Sequence, residues 1–313
     1  MLLGVRIRFC PSSSLQVLPY KSDLPAMGCM AAPRRVKLPG MTRACADTPI
    51  CLSFSALQQW HAALQHAFAR SDEADALASL AAALCQLVAV ESVMISLERH
   101  GQPPRLLYQQ GIPERYRDAI LNRYFSAGYL LDPFCLAVEK GLAQGFYHLQ
   151  DIAPDHFFDS DYYKTYYLGT GCSEDSYYIV DIDPHSKISL SLFQGRGGRS
   201  LSVTQLNLLQ AVEPMVRELI SRFARHGLEP GGEVHSRGGV QAAFDSFGCA
   251  LLTERERQVA QMILRGHSVK STASELGISP ETVRMHRKNL YLKLQINSQS
   301  ELFARFIDWL RQG

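Results

Sequence analysis

The sequence predicts an α+β domain, an antiparallel sheet packed with helices, followed by a small all-α unit of four helices built around a helix-turn-helix. Three observations carry this. First, the apolar pattern between residues 53 and 226 alternates between helical and strand-like periods, in the order helix, helix, strands, helix, strands, long helix. Second, the glycine-rich stretch GLEPGGEVHSRGGVQ has no apolar period and reads as a linker. Third, from Ala250 onward the helices are sharply punctuated, and the short turn Gly277-Ile278-Ser279 joins two of them. The expected organisation is a disordered leader over 1–52, the α+β domain over 53–226, a linker over 227–249 and the helical unit over 250–313.

The leader carries scattered Pro, Ser and Arg without a clear period, and Met27, Met30 and Met41 are internal candidate starts. FSALQQWHAALQHAFAR spaces Phe54, Leu57, Leu64 and Phe68 as a helix. The next helix presents Leu77, Leu80, Leu84, Leu87 and Val88, with Ser71 or Asp72 as its N-cap. VMISLER and RLLYQQ read as a hairpin across the turn GQPP. PERYRDAILNRYF is expected to be helical from Pro113, and Cys135 to Gly141 forms a further short helix. DSYYIVDID and KISLSLFQ are strands joined by a turn at Asp183-Pro184. GRGGRS is a flexible loop. The long amphipathic helix that follows is capped at Ser202 or Thr204, and Pro214 should kink or split it.

Composition narrows the function. Hydrophobic residues make up 46% and charged residues 20%, which fits a chain that buries a core. From Ala250 on there are ten basic and six acidic residues, so this unit carries +4 while everything before it carries −2. A basic unit on a mildly acidic body suits a polyanionic partner. The eight cysteines contain no CxxC pair, which fits reduced thiols and neither a disulfide framework nor a zinc site. No apolar run approaches the ~18 residues that a membrane helix needs, and the first residues do not form a convincing signal peptide. A cytoplasmic location without membrane attachment is expected.

In the C-terminal unit, Thr253 and Glu256 have capping-box spacing, Gly266 suits a helix terminus, and Ser268 caps a short helix ended by Gly277. Ser279 and Pro280 open a third helix, and Ser298 with Glu301 opens a fourth. In the third helix Val283, Leu290 and Leu294 share one face, close to His286 and Arg287. Glu281, Arg284, Met285, Lys288 and Leu292 fall on or near the other. A basic N-terminal half on the exposed side of the second helix of such a pair is what major-groove docking requires. Arg and Lys can donate to guanine O6 and N7 and neutralise phosphate.

The stretch LTERERQVAQMILRGHSVKSTASELGISPETVRMHRKNLYLKLQINSQSEL resembles the LuxR-type helix-turn-helix domain of bacterial transcription regulators. The matching pieces are Leu252-Thr253, Arg255-Glu256, Gly266, Lys270, Ala273, Leu276, Ile278-Ser279, Thr282-Val283-Arg284, His286 and Lys293-Leu294. The resemblance implies a four-helix DNA-binding domain that works as a dimer, with the third helix in the major groove. It implies base-edge or groove contacts by Arg284, Met285 and Lys288, and phosphate contacts by Lys270 and Thr282. His286, beside the apolar face, is expected to pack. The fourth helix is implied as a dimer surface, and its surplus of apolar residues puts Phe303, Phe306, Trp309 and Leu310 there. The chain departs from the family at Thr272, where Ile is usual, and at Gln258 and Gln299, where a Glu and an Arg are usual.

For the larger domain, IVDIDP only superficially resembles a phosphoacceptor strand, and Asp183 is better explained by turn chemistry. RYRDAILNRYFSAGYLLDPFCLAV and YYLGTGCSEDSYYIVDI resemble parts of the acyl-homoserine-lactone-binding domain. The tryptophans of that family are absent here, since the only two are Trp60 and Trp309. A GAF-like or divergent autoinducer-like sensor is therefore expected. Tyr162, Tyr166 and Tyr177 are its candidate ligand-binding residues, each offering an apolar ring with a hydroxyl. G-x-S-x-G, G-x-x-x-x-G-K-[ST] and H-E-x-x-H are all missing, so no enzyme is expected, and no cofactor or metal. The reading is a dimeric, sequence-specific transcriptional regulator controlled by a signal sensed in its N-terminal domain. The alternatives are an acyl-homoserine-lactone-type quorum-sensing receptor and a regulator controlled by a protein partner. Expected partners are double-stranded DNA, a second copy of the chain, a small-molecule signal and RNA polymerase.

Overall fold

The computed structural model describes residues 8–9, 14–17, 50–73, 75–195, 200–228, 244 and 246–312. Five strands form one antiparallel sheet: β4 (Ser92–Arg99), β5 (Arg105–Gln110), β6 (Gly145–His148), β7 (Cys172–Asp183) and β8 (Ser186–Gly195). Their order is β5-β4-β8-β7-β6. The β7–β8 hairpin turns at Asp183, whose Oδ1 accepts from the His185 N–H at 2.8 Å, so this carboxylate does serve the turn.

The two faces of the sheet differ. One presents Val93, Ile95, Leu97, Tyr178, Val180, Ile188, Leu190 and Leu192 to α1 (Phe54–Ala69), α2 (Ala76–Leu87) and α6 (Val203–Gly227). Ser53 caps α1 by accepting from the Ala56 N–H at 3.1 Å. Ser202, one of the two expected caps, is the N-cap of α6 and forms a capping box with Gln205. The other face alternates with the first and carries Met94, Ser96, Glu98, Asp175, Tyr177, Ser189, Ser191 and Phe193. It is covered by irregular helical turns: a π-turn at Asp118–Arg123 running into α3 (Tyr124–Ser126), α4 (Pro133–Glu139), α5 (Leu149–Ile152) and a second π-turn at Tyr163–Tyr167.

Five expectations are corrected. Part of the supposed leader is ordered, since β1 (Arg8–Phe9), β2 (Ser14–Val17) and β3 (Ile50–Ser53) pair antiparallel; the rest of it lies outside the described residues. The N-cap of α2 is Asp75, not Ser71 or Asp72, because Arg70 binds Asp75 and Glu73 and holds the preceding turn. Helix α6 is not split at Pro214 but runs unbroken through it, with Leu206, Leu209, Val216, Leu219, Ile220 and Phe223 packed against the sheet. The single helix expected from Pro113 is a 3-10 turn, a π-turn and a short α-turn in succession. The linker ends earlier than 249, because Phe244 and Phe247 are buried against the C-terminal helices.

The C-terminal unit contains α7 (Glu254–Leu264), α8 (Val269–Leu276), α9 (Pro280–Leu294) and α10 (Gln299–Gln312). The predicted caps at Thr253, Ser268 and Ser279 all form. Gly277 ends α8 at φ 64°, a left-handed conformation that suits glycine. Val259, Ile263, Ala273, Val283, Leu290, Leu294, Leu302 and Phe306 make the core. Thr272, where the family usually has Ile, is buried at 1% exposure.

Candidate nucleic-acid interface and buried cavity

Val283, Leu290 and Leu294 anchor α9 in the core, which fixes the opposite face toward solvent. Arg284, Met285 and Lys288 are exposed there, with Lys270 exposed on α8 and Thr282 half-buried. Met285 and Leu292 are 50% and 68% exposed, unusual for large apolar side chains. Arg284 donates to Glu281 Oε1 at 3.0 Å, while the Thr282 hydroxyl pairs with that of Ser279 at 2.9 Å. Arg287, which sequence spacing assigned to the apolar side, instead joins Arg284 and Lys288 along a shallow groove. Its guanidinium lies 5.4 Å from the Tyr291 ring centre. His286 is half-buried, in keeping with a packing role.

The C-terminal end of α9 is tied to the start of α7 by Lys293, which donates to buried Glu256 at 2.6 Å. Burial opposes the Glu256 charge, but Lys293 and the Thr253 N–H outweigh it and hold the carboxyl below its usual range. Gln258 and Gln299, the departures from the family pattern, do not pair with each other. Gln258 bridges Arg255 and Glu254, and Gln299 reaches the Ile263 carbonyl at 3.5 Å.

The proposed dimer surface needs one correction. Phe306 is 0% exposed, stacked on Phe244 at 5.1 Å and met edge-on by Phe247 at 5.1 Å. The segment before α7 covers the ring, so it belongs to the core of its own chain. Phe303, Trp309 and Leu310 are half-buried on the same cluster.

The C-terminal unit also touches the α+β domain. The His156 N–H donates to Gly266 O at 2.9 Å, the Ser268 N–H to Asp155 Oδ1 at 2.9 Å, and the Ser300 hydroxyl to Asp161 Oδ1 at 3.0 Å. Gly266 has φ 84°, and a Cβ there would stand 2.7 Å from the Phe157 Cα, so both the turn and the close approach require glycine.

Within the α+β domain, a cavity of 360 Å³ opens between the polar face of the sheet and the irregular layer. Tyr162, Tyr166 and Tyr177, the three predicted ligand residues, all line it, together with Tyr116, Tyr124, Tyr167 and Phe193. Asp132, also in the wall, is 2% exposed. Its Oδ1 accepts from the Phe134 and Cys135 N–H groups as the N-cap of α4, and its Oδ2 accepts from the Tyr124 hydroxyl at 3.0 Å. Burial pushes this carboxyl up to about 6 despite those bonds. Burial likewise raises the Tyr124, Tyr162, Tyr167 and Tyr177 hydroxyls well above their ordinary value.

Sequence reading missed the acids buried on this face of the sheet. Asp175 is 0% exposed and directly opposite Phe193 in the sheet, so both project to the same side. Glu98 is buried on the same face and accepts from Ser96 and Ser189. Burial raises both carboxyls, and Asp132 adds repulsion to each. The signal was present in the period-2 polar residues of β4, β7 and β8, which ordinarily mark a solvated face.

A basic, solvent-facing second helix in a helix-turn-helix pair defines a DNA-binding unit. Residues 250–306 match the family model described as bacterial regulatory proteins, luxR family. The chain is 34% identical over 189 residues to the "Putative HTH-type transcriptional regulator in exeN 3'region" of Aeromonas salmonicida, covering 57% of this chain and 94% of that protein. It therefore belongs to the LuxR family of bacterial regulatory proteins and is a DNA-binding transcriptional regulator. It is also 51% identical over 57 residues to the transcriptional regulatory protein UhpA of Escherichia coli K12, covering 18% of this chain and 29% of UhpA. Among solved structures it is similar to the VqsR LBD domain from Pseudomonas aeruginosa, at a TM-score of 0.48 and 24% identity, covering 54% of this chain and 98% of that one. No described helix is long and apolar enough to cross a membrane.

Proposed function

We propose that this regulator is a cytoplasmic homodimer whose grip on DNA, and through it on RNA polymerase, is set by a small molecule held in the α+β domain. The observation that carries the reading is the cavity itself, walled by Tyr162, Tyr166 and Tyr177 in the same chain as the DNA-binding unit. Its size and its mix of aromatic walls with a few buried polar groups are those of a ligand site. Arg284, Met285 and Lys288 read base edges, Lys270 and Thr282 touch phosphate, and Arg287 adds charge along the same groove. Phe303, Trp309 and Leu310 supply the pairing surface. A two-fold dimer binds a pseudo-palindromic site with half-sites about one helical turn apart. The test is operator binding by purified protein, with the site found by genome-wide DNA capture, measured before and after native mass spectrometry identifies and dialysis removes any bound small molecule. Operator affinity that does not change on ligand removal refutes control by the cavity.

A further inference from the structure

The cavity has rings in both of the layers that enclose it. Tyr177 and Phe193 come from the sheet, while Tyr116, Tyr124, Tyr162 and Tyr166 come from the covering layer. Among the described wall residues, the large aliphatic side chains are Met94, Ile120 and Leu168. The apolar surface offered to a ligand is therefore mostly aromatic. Several of these rings are also held in place by their neighbours. Tyr166 stacks on Tyr162, with ring centres 4.9 Å apart and 28° between the planes. Its edge lies on bare backbone, since a Cβ at Gly128 would stand 2.6 Å from the Tyr166 Cε1. Tyr116 rests in the same way on Gly171, where a Cβ would stand 2.8 Å from its Cε2. Tyr177 is backed by Phe134, with ring centres 3.6 Å apart. Phe134 in turn sits in the first turn of α4, whose N-cap is Asp132.

We infer that the cavity selects a flat aromatic ligand of one or two fused rings, lying between the rings of the sheet and the tyrosines of the covering layer. This rests on reading the cavity as a ligand site. Aromatic pairs in offset or edge-on geometry are favourable beyond the area they bury, and a saturated body of the same size gains no such term. A fused ring system has no internal rotors to freeze, whereas a flexible chain gives up its freedom on binding. The wall adds little ordering cost of its own, because Tyr116, Tyr166 and Tyr177 are already packed in position. Size agrees with this class. A cavity of 360 Å³ is near the lower end for ligand pockets and suits one or two rings with a substituent.

The test holds the head constant and varies the body, so that charge plays no part. The full chain is titrated by calorimetry at neutral pH with 2-naphthalenemethanol, its fully saturated decahydro analogue and 1-octanol, all neutral primary alcohols. 2-Naphthalenemethanol should bind at least about tenfold tighter than either of the others. Buried apolar area alone gives no such preference, because the saturated analogue has the same carbon skeleton. Tyr166 and Phe193 are half-buried, one in each layer. Tyr166→Leu and Phe193→Leu should each cut the aromatic preference to about threefold or less, while octanol affinity changes by no more than about twofold. Circular dichroism checks that both variants are folded, and if either is not, the wild-type ranking decides alone. A saturated analogue or octanol that binds the wild type as tightly as the aromatic alcohol overturns the aromatic class and leaves a small-molecule site standing. So does a preference that stays near tenfold in both folded variants. No binding of any probe up to its solubility limit overturns the class and the ligand-site reading together.

Discussion

Phe306→Ala separates a core ring from a dimer-surface ring. Phe306 is fully buried within one chain, stacked on Phe244 and crossed by Phe247, with Trp309 6.2 Å away. Removing a buried phenylalanine costs about 3–5 kcal/mol, from lost burial and the cavity left behind. The upper half of that range applies here, because aromatic rings contact both a face and an edge of Phe306 and rigid rings close a gap poorly. With a urea dependence of about 1 kcal/mol per molar for a unit this small, the midpoint should fall by about 4–5 M. The assay is urea unfolding followed by tryptophan fluorescence in a Trp60→Phe background, where Trp309 alone reports on α10. The loss should be independent of protein concentration. A shift of under about 1 M that grows on dilution would mean that the ring is covered by a second copy, and would refute the core assignment.

Arg284→Ala and Lys288→Ala should each weaken specific operator binding by about 1–3 kcal/mol where the contact is to a base; unchanged gel-shift affinity in both counts against the assigned groove face. Asp155→Ala removes the acceptor for the Ser268 N–H and hydroxyl. Hydrogen exchange at the first turn of α8 should accelerate, and unchanged protection would mean that this contact is not maintained in solution. The Glu256 carboxyl is held below its unfolded value, so its pairing with Lys293 stabilises the fold above that value and the contribution is lost as pH falls through the folded value. The stability gap between wild type and Lys293→Met should accordingly close in acid, and a gap unchanged at pH 3 would contradict it. Asp132 runs the other way: its folded value of about 6 lies above the unfolded one, so its charge costs stability as pH rises from about 4 to 6. Ligand-free Asp132→Asn should show a shallower slope, because Glu98 and Asp175 are raised as well, and an undiminished slope would place the titration elsewhere.

How much of this was legible in the sequence depended on whether local chemistry decides the structure. Thr253, Ser268, Ser279 and Gly277 mark the helix ends in the C-terminal unit because capping is settled within one turn. RLLYQQ is a strand to the residue for the same reason of short-range pattern. The solvent-facing side of α9 followed from its three buried anchors, although Arg287 lies too near the boundary of the faces for a helical wheel to assign. Tertiary contacts were less legible. Phe244 and Phe247 lie just after the glycine-rich stretch and gain their meaning only from Phe306. Tyr162, Tyr166 and Tyr177 could be picked out as hydroxyl-bearing rings, but not the carboxyls buried on the covered face of the sheet. Asp175 and Glu98 alternate with apolar residues as a solvent-facing row does, and only the layer folded over them makes that row interior.

That covering layer also joins the two sites. The π-turn at Tyr163–Tyr167, with Tyr162 before it, walls the cavity, and the residues just upstream make the contacts to the C-terminal unit. Asp155 meets the N-terminus of α8, His156 and Phe157 meet Gly266, and Asp161 meets Ser300, all within a dozen residues of the cavity wall. A carboxylate at a helix N-terminus is favoured by the unpaired N–H groups and the helix dipole. In a helix-turn-helix the first helix crosses the phosphate backbone, so Asp155 presents to α8 the kind of charge that DNA would present. A ligand can shift such a docking equilibrium only by binding the docked and undocked forms unequally. Under the proposed ligand control, the short path from Tyr162 to Asp155 and Asp161 is the described connection between the cavity and the contacts to α8 and α10. Ligand binding and domain docking should therefore respond together to substitutions in residues 154–162, and independently of substitutions on the α1–α2 side of the sheet.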